Sequence, residues 1–237
     1  MIEINLKLKV SIIIPAYNEE KFIGSVIECV KRIDEVDEIL VINDGSQDKT
    51  KAVAKRAGAK VISHKKNMGK GKAMESGCKN AEGDILIFLD ADLKNLKPSK
   101  IRKILDQFKQ GYDFVKTRFD RRGGRVTQLT ALPLLGHFFP EIEEKFEQPL
   151  SGQIGIKKDL LERLELEEDM GVDIGILIDI FQMGVNAREV YFGRLSHDEK
   201  ELEDLQEMAK AVSRVILDRA ARYNRTHPLE DIIIDSG

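Results

Sequence analysis

Apolar residues along the first half of the chain alternate between continuous runs and helical stripes. Residues 10–15 (VSIIIP) are an apolar run closed by a proline. Residues 20–33 then place Phe22, Ile23, Val26, Ile27, Val30 and Ile33 on one helical face. The pairing repeats. Residues 38–42 (EILVI) read as a second strand, closed by Asn43, Asp44, Gly45 and Ser46, and residues 48–57 as a helix with Gly58 just past its end. A short strand at 60–63, a helix at 70–80, a fourth strand at 84–89 (DILIFL), a helix from Pro98 to residue 110 and a fifth strand at 113–117 complete the pattern. Strands apolar throughout, each followed by a helix, predict an α/β fold with a parallel sheet covered on both faces. Ligands bind such sheets at the carboxyl ends of the strands. Those ends carry Tyr17, Asn18 and Glu19, then Asn43 and Asp44, then Asp90 and Asp92.

The second half is less regular. Residues 121–125 form a basic, glycine-bearing loop, 126–139 read as helical around Pro133, and 148–156 as extended. Residues 171–181 predict an apolar helix carrying Asp173 and Asp179, and 190–192 precede a loop with Arg194 and His197. A long amphipathic helix spans 201–222, with Leu202, Leu205, Met208, Val212, Val215 and Ile216 as its stripe. Such a stripe packs against its own domain or a second copy, so a homodimer is one expected assembly. No linker divides the chain.

Composition narrows the classes. The 237 residues carry 38 Lys and Arg against 41 Asp and Glu, a net charge of −3 with the signs mixed, which gives no footprint for nucleic acid. Cys29 and Cys78 fall among apolar neighbours in predicted helices and read as buried thiols. Residues 1–10 are too short and charged for a signal peptide. No stretch reaches the roughly 18 apolar residues of a membrane span, so a cytoplasmic protein is expected.

Asp90 and Asp92 are the sharpest local signal. Two residues apart on an extended backbone, their carboxylates face one side, where they suit Mg2+ or Mn2+ shared with substrate phosphates. Alone, the pair matches many unrelated chains; following a buried strand, it gains weight. Gly69, Lys70, Gly71 and Lys72 do not make a P-loop, because Ala73 stands where Ser or Thr is required. They predict a glycine loop opening a helix, whose amides and Lys70 could meet a diphosphate. Nor does a Gly-x-Gly-x-x-Gly follow the first strand. His64, His137 and His227 have no arranged partners and read as structural, and His197 by itself as an exposed loop residue.

Taken jointly, VSIIIPAYNEE (10–20), VINDGS (41–46), NMGKG (67–71) and LDAD (89–92) resemble, in order and spacing, the nucleotide-sugar glycosyltransferases of the GT-A fold. In the second half, GRVTQLT (124–130), QPLSG (148–152), GVDIGILID (171–179) and FG (192–193) before His197 look like the glucosyl-3-phosphoglycerate synthase family within that fold. The resemblance implies a Rossmann-like, mainly parallel sheet in a single domain over 1–223. Residues 1–118 would bind the nucleotide sugar and 119–223 the acceptor, with 224–237 a tail. It implies metal-dependent, retaining transfer of a hexose, glucose, from UDP-glucose or GDP-glucose to 3-phosphoglycerate or a similar small phosphorylated acceptor.

Carried over by position, Pro15, Ala16, Asn18, Glu19, Asn43, Asp44, Lys70 and Asp90 would hold the donor, and Asp92 and His197 the divalent metal. Gly124, Arg125, Val126 and Thr127 would hold the acceptor. Lys70 would stabilise the leaving group, Asp173 organise sugar and acceptor, and the Leu150 carbonyl lie near the reacting face. Four positions depart from the family pattern: Asn43 for Asp, Asp173 for Glu, and Asp198 and Glu199 in place of a basic residue and Asn. The last departure leaves the acceptor open.

The alternative is an inverting polyprenyl- or dolichyl-phosphate sugar transferase, which shares the first half and needs a carboxylate base, for which Glu168 or Asp169 stand as candidates. A catalytically silent nucleotide-sugar sensor is disfavoured by Asp90, Asp92 and Lys70, and a pyrophosphorylase by the absence of Gly-x-Gly-Thr-Arg near the start.

Overall fold

The computed structural model describes residues 8–120, 124–194 and 202–225. Arg121, Arg122 and Gly123, the loop with His197, Asp198 and Glu199, and His227 lie outside the described residues.

Among the described residues, seven strands form one sheet in the order β3-β2-β1-β4-β6-β5-β7. They are β1 (Val10–Ala16), β2 (Glu38–Asn43), β3 (Lys60–Ser63), β4 (Ile85–Phe88), β5 (Phe114–Arg118), β6 (Ile154–Lys157) and β7 (Ala187–Tyr191). The pairings of β1 with β2 and β4, β2 with β3, and β5 with β7 are parallel. Only β6 runs against its neighbours, β4 and β5. Because β1 leads outward to β2 on one side and pairs with β4 on the other, strand order reverses between β1 and β4. Open α/β sheets place their binding crevice at such a point.

Side chains alternate across the sheet, so each strand feeds two cores. Ile12 and Ile14 pack with α1 (Ile23–Val30) and α4 (Pro98–Lys109) on one face. Ile13 packs on the other face with α3 (Lys70–Asn80), α5 (Leu132–Phe138), α8 (Val172–Gln182) and α9 (Leu202–Arg222). The remaining helices are α2 (Thr50–Arg56), α6 (Pro140–Glu143) and α7 (Lys158–Leu161). Cys29 and Cys78 are buried, and burial pushes both thiols up in pKa, Cys78 to about 11, so they are inert packing groups. The α9 stripe is used within the chain: Val212, Val215 and Ile216 are fully buried, and Arg219 pairs with Asp179 of α8 and with Glu167.

Three predicted elements differ. The first helix begins at Ile23 rather than residue 20 because the preceding turn ties two loops together: Asn18 adopts a left-handed φ of 57°, Glu19 N–H donates to Thr50, and Glu20 accepts from Lys49 N–H. The segment around Pro133 opens with a π-helical turn, Thr127–Ala131, before α5. Proline lacks an N–H and crowds the carbonyl four residues back, and the wider turn relieves both. Residues 148–153 are not strand; Ser151 N–H donates to the Gln148 carbonyl in a turn, and only 154–157 pair. β7 and the short α6 and α7 add to the predicted elements. Among the described residues no helix is long and apolar enough to cross a membrane.

Candidate active site

The carboxyl ends of β1, β2 and β4 bring Asn18, Asp44 and Asp90 to the same edge of the sheet. Asp44 follows β2 and is 4 % exposed. Its carboxylate accepts the amides of Met68 (3.0 Å) and Gly69 (2.9 Å), and His64 Nδ1 lies 2.6 Å from it. His64 in turn bonds Ser76 of α3 at 2.9 Å. The histidine read as merely structural is therefore a brace for a predicted donor residue. Asn18 accepts from Gln47 N–H, and its own N–H donates to Ser46. Asn43 is buried, with its side-chain NH2 3.4 Å from Ser63, and its side-chain oxygen has no partner among the described residues.

The glycine loop corrects one expectation. Gly71 and Lys72 N–H groups donate to the Glu168 carbonyl, and Met68 and Gly69 to Asp44. These four amides serve protein partners and do not make a phosphate cradle. A side chain at Gly71 would place its Cβ 1.6 Å from the Glu167 carbonyl oxygen, which is why glycine stands there. What the loop presents is the ammonium of Lys70, 3.1 Å from Asp90 and 2.7 Å from Asp173. Burial disfavours its charge, but the two carboxylates outweigh burial and hold the pKa above the usual lysine value. Lys70 is thus a fixed cation.

Residues 90–92 correct another. Ala91 and Asp92 turn rather than extend, and the Asp90 carboxylate is committed to Lys70 and to the Gln153 amide. The two acids therefore do not stand side by side on a strand, and a metal held as the sequence predicts would draw one carboxylate, Asp92, from this turn. Hard oxygen ligation suits this, since Mg2+ needs only one or two protein carboxylates beside phosphates and water. The described residues contain no cluster of three His, Cys, Asp or Glu that could hold an ion. His197, the second predicted ligand, lies outside them.

The reversed direction of β6 is what completes the cleft. Its N-terminal flank, residues 148–153, arrives where the parallel strands end. Gly152 lies so close that a Cβ would stand 2.6 Å from both Asp90 carboxylate oxygens and from Lys70 Nζ. Leu150 is buried in the same turn. Thr117 bonds the Ser151 hydroxyl (2.8 Å) and the Gln153 carbonyl (3.1 Å). Asp173, 2 % exposed in the first turn of α8, keeps one carboxylate oxygen with no partner among the described residues.

Residues 124–127 lie a few residues past the carboxyl end of β5; Arg125 is exposed, while Val126 and Thr127 are buried. Pro15 and Ala16 end β1 beside Ile42 and Asn43. Glu168 and Asp169 are exposed. Asp169 accepts from Gly171 N–H and pairs with Arg214, and Glu168 lines a groove on the outer flank of α3 with Lys72 and Glu75. Two residues escaped the sequence reading: Lys116, fully buried in β5, and Glu189 of β7, whose side chain is nearly so. The available signal was a charged residue inside an apolar strand.

Comparison with known proteins places these residues among relatives. The model of the family described as "Glycosyl transferase family 2" matches residues 11–163. The glucosyl-3-phosphoglycerate synthase of Petrotoga mobilis is 34 % identical over an alignment covering 92 % of this chain and 75 % of that protein. The crystal structure of the Mycobacterium tuberculosis glucosyl-3-phosphoglycerate synthase with Mn2+, UDP-glucose and phosphoglyceric acid superposes with a TM-score of 0.85. It is 34 % identical and covers 90 % of this chain and 80 % of that one. An undecaprenyl-phosphate 4-deoxy-4-formamido-L-arabinose transferase of Photorhabdus laumondii is 32 % identical, but over only 54 % of this chain and 42 % of its own.

Proposed function

We propose, for a chain that belongs to glycosyl transferase family 2, that it is a metal-dependent glycosyltransferase moving glucose from UDP-glucose to 3-phosphoglycerate. The observation that carries this reading is the meeting of Lys70 and Asp90 from the first half with Gly152 and Asp173 from the second. The first-half motifs serve many sugar transferases. Of the second-half partners, Gly152 lies in a motif of the synthase family and Asp173 stands where that family has Glu, and relatives that match nine tenths of the chain carry that name.

Each residue then has a task. Pro15, Ala16, Asn18, Glu19 and Asn43 border the nucleoside, and Asp44 fixes the loop that delivers Lys70. The Lys70 ammonium faces the charge that builds on the departing diphosphate, where a preorganised cation is worth far more than in water. Asp92 with His197 would hold Mg2+ or Mn2+, which supplies Lewis-acid neutralisation of that diphosphate. The unpartnered Asp173 oxygen accepts a hydroxyl hydrogen of sugar or acceptor. Gly124, Arg125, Val126 and Thr127 bind the acceptor phosphate through a guanidinium fork and a hydroxyl. Transfer proceeds with retention on the face of the Leu150 carbonyl, a reading carried by the resemblance of the second-half motifs to the synthase family. In this reading residues 1–118 are the donor half and 119–223 the acceptor half of one domain.

The test is a donor-by-acceptor screen with product anomericity read by NMR. UDP-glucose with 3-phosphoglycerate and Mn2+ or Mg2+ should give an α-linked product, and unphosphorylated glycerate a far slower reaction. Turnover only with a polyprenyl phosphate, or a β-linked product, would overturn the reading.

A further inference from the structure

Lys116 is a cation in an unusual place. It belongs to β5, opposite Ile154 of β6 and Glu189 of β7, and is 0 % exposed. Its Nζ donates to the Ser151 carbonyl at 2.9 Å and reaches the Asp173 carbonyl at 3.4 Å. On the neighbouring strand, Glu189 accepts the amides of Glu147 (3.2 Å) and Gln148 (2.9 Å). An anion thus grips the start of the 147–152 turn by its N–H groups and a cation grips its end by a carbonyl. Between them lie Leu150, beside the reacting face, and Gly152, against the Lys70 and Asp90 pair.

We propose that Lys116 is a positioning residue for sugar transfer, holding the Leu150 and Ser151 backbone and the first turn of α8 in register with Lys70. The inference rests on the sugar-transfer reading and adds to it a residue that touches no substrate. Stability does not account for the charge. Burial pushes the Lys116 pKa down to about 8, with Asp173, Glu189 and Asp90 opposing that shift and Lys70 adding to it. A lysine whose folded pKa lies below its unfolded value binds fewer protons when folded, so its contribution to stability rises as pH climbs from about 8 toward the usual lysine value. At neutral pH the charge works against folding, and the fold keeps it nonetheless.

The experiment compares wild type with Lys116→Met, a similar volume without the charge. The expected result is a folded variant whose kcat falls at least tenfold while the donor KM changes less than threefold. Wild-type kcat/KM should decline above about pH 8, a limb that the free enzyme's groups set and that the variant lacks. In kcat that limb should move to higher pH, because a bound diphosphate favours the protonated ammonium. A folded variant with kcat within twofold of wild type overturns the proposal. If the variant does not fold, the wild-type profile decides, and kcat/KM flat from pH 7 to about 9.5 overturns it. Absence of glucosyl transfer by the wild type itself would instead remove the functional reading on which the proposal stands.

Discussion

Around Asp44, one carboxylate gathers backbone amides; around Lys116, one ammonium gathers backbone carbonyls. The first arrangement sits at the ends of parallel strands, where β2, the 67–69 loop and α3 converge within a short span of chain. The second sits where an antiparallel strand brings in a turn from the other half. Burial pushes the Lys116 pKa down to about 8, so this second anchor responds to pH. The frame around Asp44 is thus local to the first half, and the 147–152 turn is held by a buried cation from β5 whose charge responds to its surroundings.

The largest expected effect lies where the two regions touch. Lys70→Met removes the ammonium shared by Asp90 and Asp173, and kcat should fall by about 10²–10³, the scale of losing one preorganised electrostatic contact. Thermal unfolding of the same variant separates this from misfolding, since buried Asp173 loses its nearest cation. A variant within fivefold of wild type would mean that the cation braces the cleft and takes no part in the chemistry.

Asp44→Asn isolates the donor-side frame. One oxygen becomes an amide NH2, which cannot accept, so part of the set from Met68, Gly69 and His64 is lost and a buried donor is left facing other donors. The fold should lose about 2 kcal/mol, the cost of an unsatisfied buried group plus a weakened charged bond, measured by urea unfolding. In the folded variant the donor KM should rise, whereas Lys116→Met acts on kcat. A donor KM unchanged by Asp44→Asn would erase the contrast between the regions.

How far each region could be read from sequence follows from how local its contacts are. The strands of the first half are apolar on both faces, so their order of appearance and the polar residues at their ends stood out before any coordinates. The direction of β6 did not, because an apolar run such as IGIK reads the same in either sense. Lys116 was hidden for a related reason: in FVKTR it looks like the polar position of an alternating strand, and its partners Ser151 and Asp173 are 35 and 57 residues away. His64 sits 20 residues from Asp44 and 12 from Ser76, with no spacing rule to link them. The two-apart argument for Asp90 and Asp92 failed because the strand ends at Phe88 and the backbone turns before the second acid.

Gly152→Ala sharpens the boundary between the regions. Its Cβ would meet Asp90 and Lys70 at 2.6 Å without straining a positive φ. Side-chain ends must give way, so kcat/KM for the donor should drop by about 10–30-fold through misplacement of Lys70, with the unfolding temperature little changed. Equal kcat/KM would show that the pair shifts freely and that the turn does not set its position. Smaller again is Arg125→Ala, at the acceptor end. The KM for 3-phosphoglycerate should rise about tenfold, some 1.4 kcal/mol for one charged contact, with the donor KM unchanged. Equal KM values for the phosphorylated acceptor before and after the change would move the phosphate elsewhere on this edge of the sheet.

The smallest expected effect concerns the two acids that an inverting mechanism would need. Asp169 is already occupied by Gly171 N–H and Arg214, and the Glu168 side chain lies on the outer flank of α3, while only its backbone carbonyl serves the cleft by capping Gly71 and Lys72. Glu168→Gln leaves that carbonyl in place, and Asp169→Asn keeps an oxygen for Gly171. Each variant should therefore retain kcat within about threefold, since a residue that does not deprotonate the acceptor contributes nothing of the 10²–10⁴-fold that a general base supplies. Steady-state assays on folded variants check this directly. A collapse of a hundredfold in either, with the unfolding temperature unchanged, would put a base in the loop before α8. It would also exchange the proposed retaining path along the Leu150 carbonyl for attack from the opposite face of the sugar.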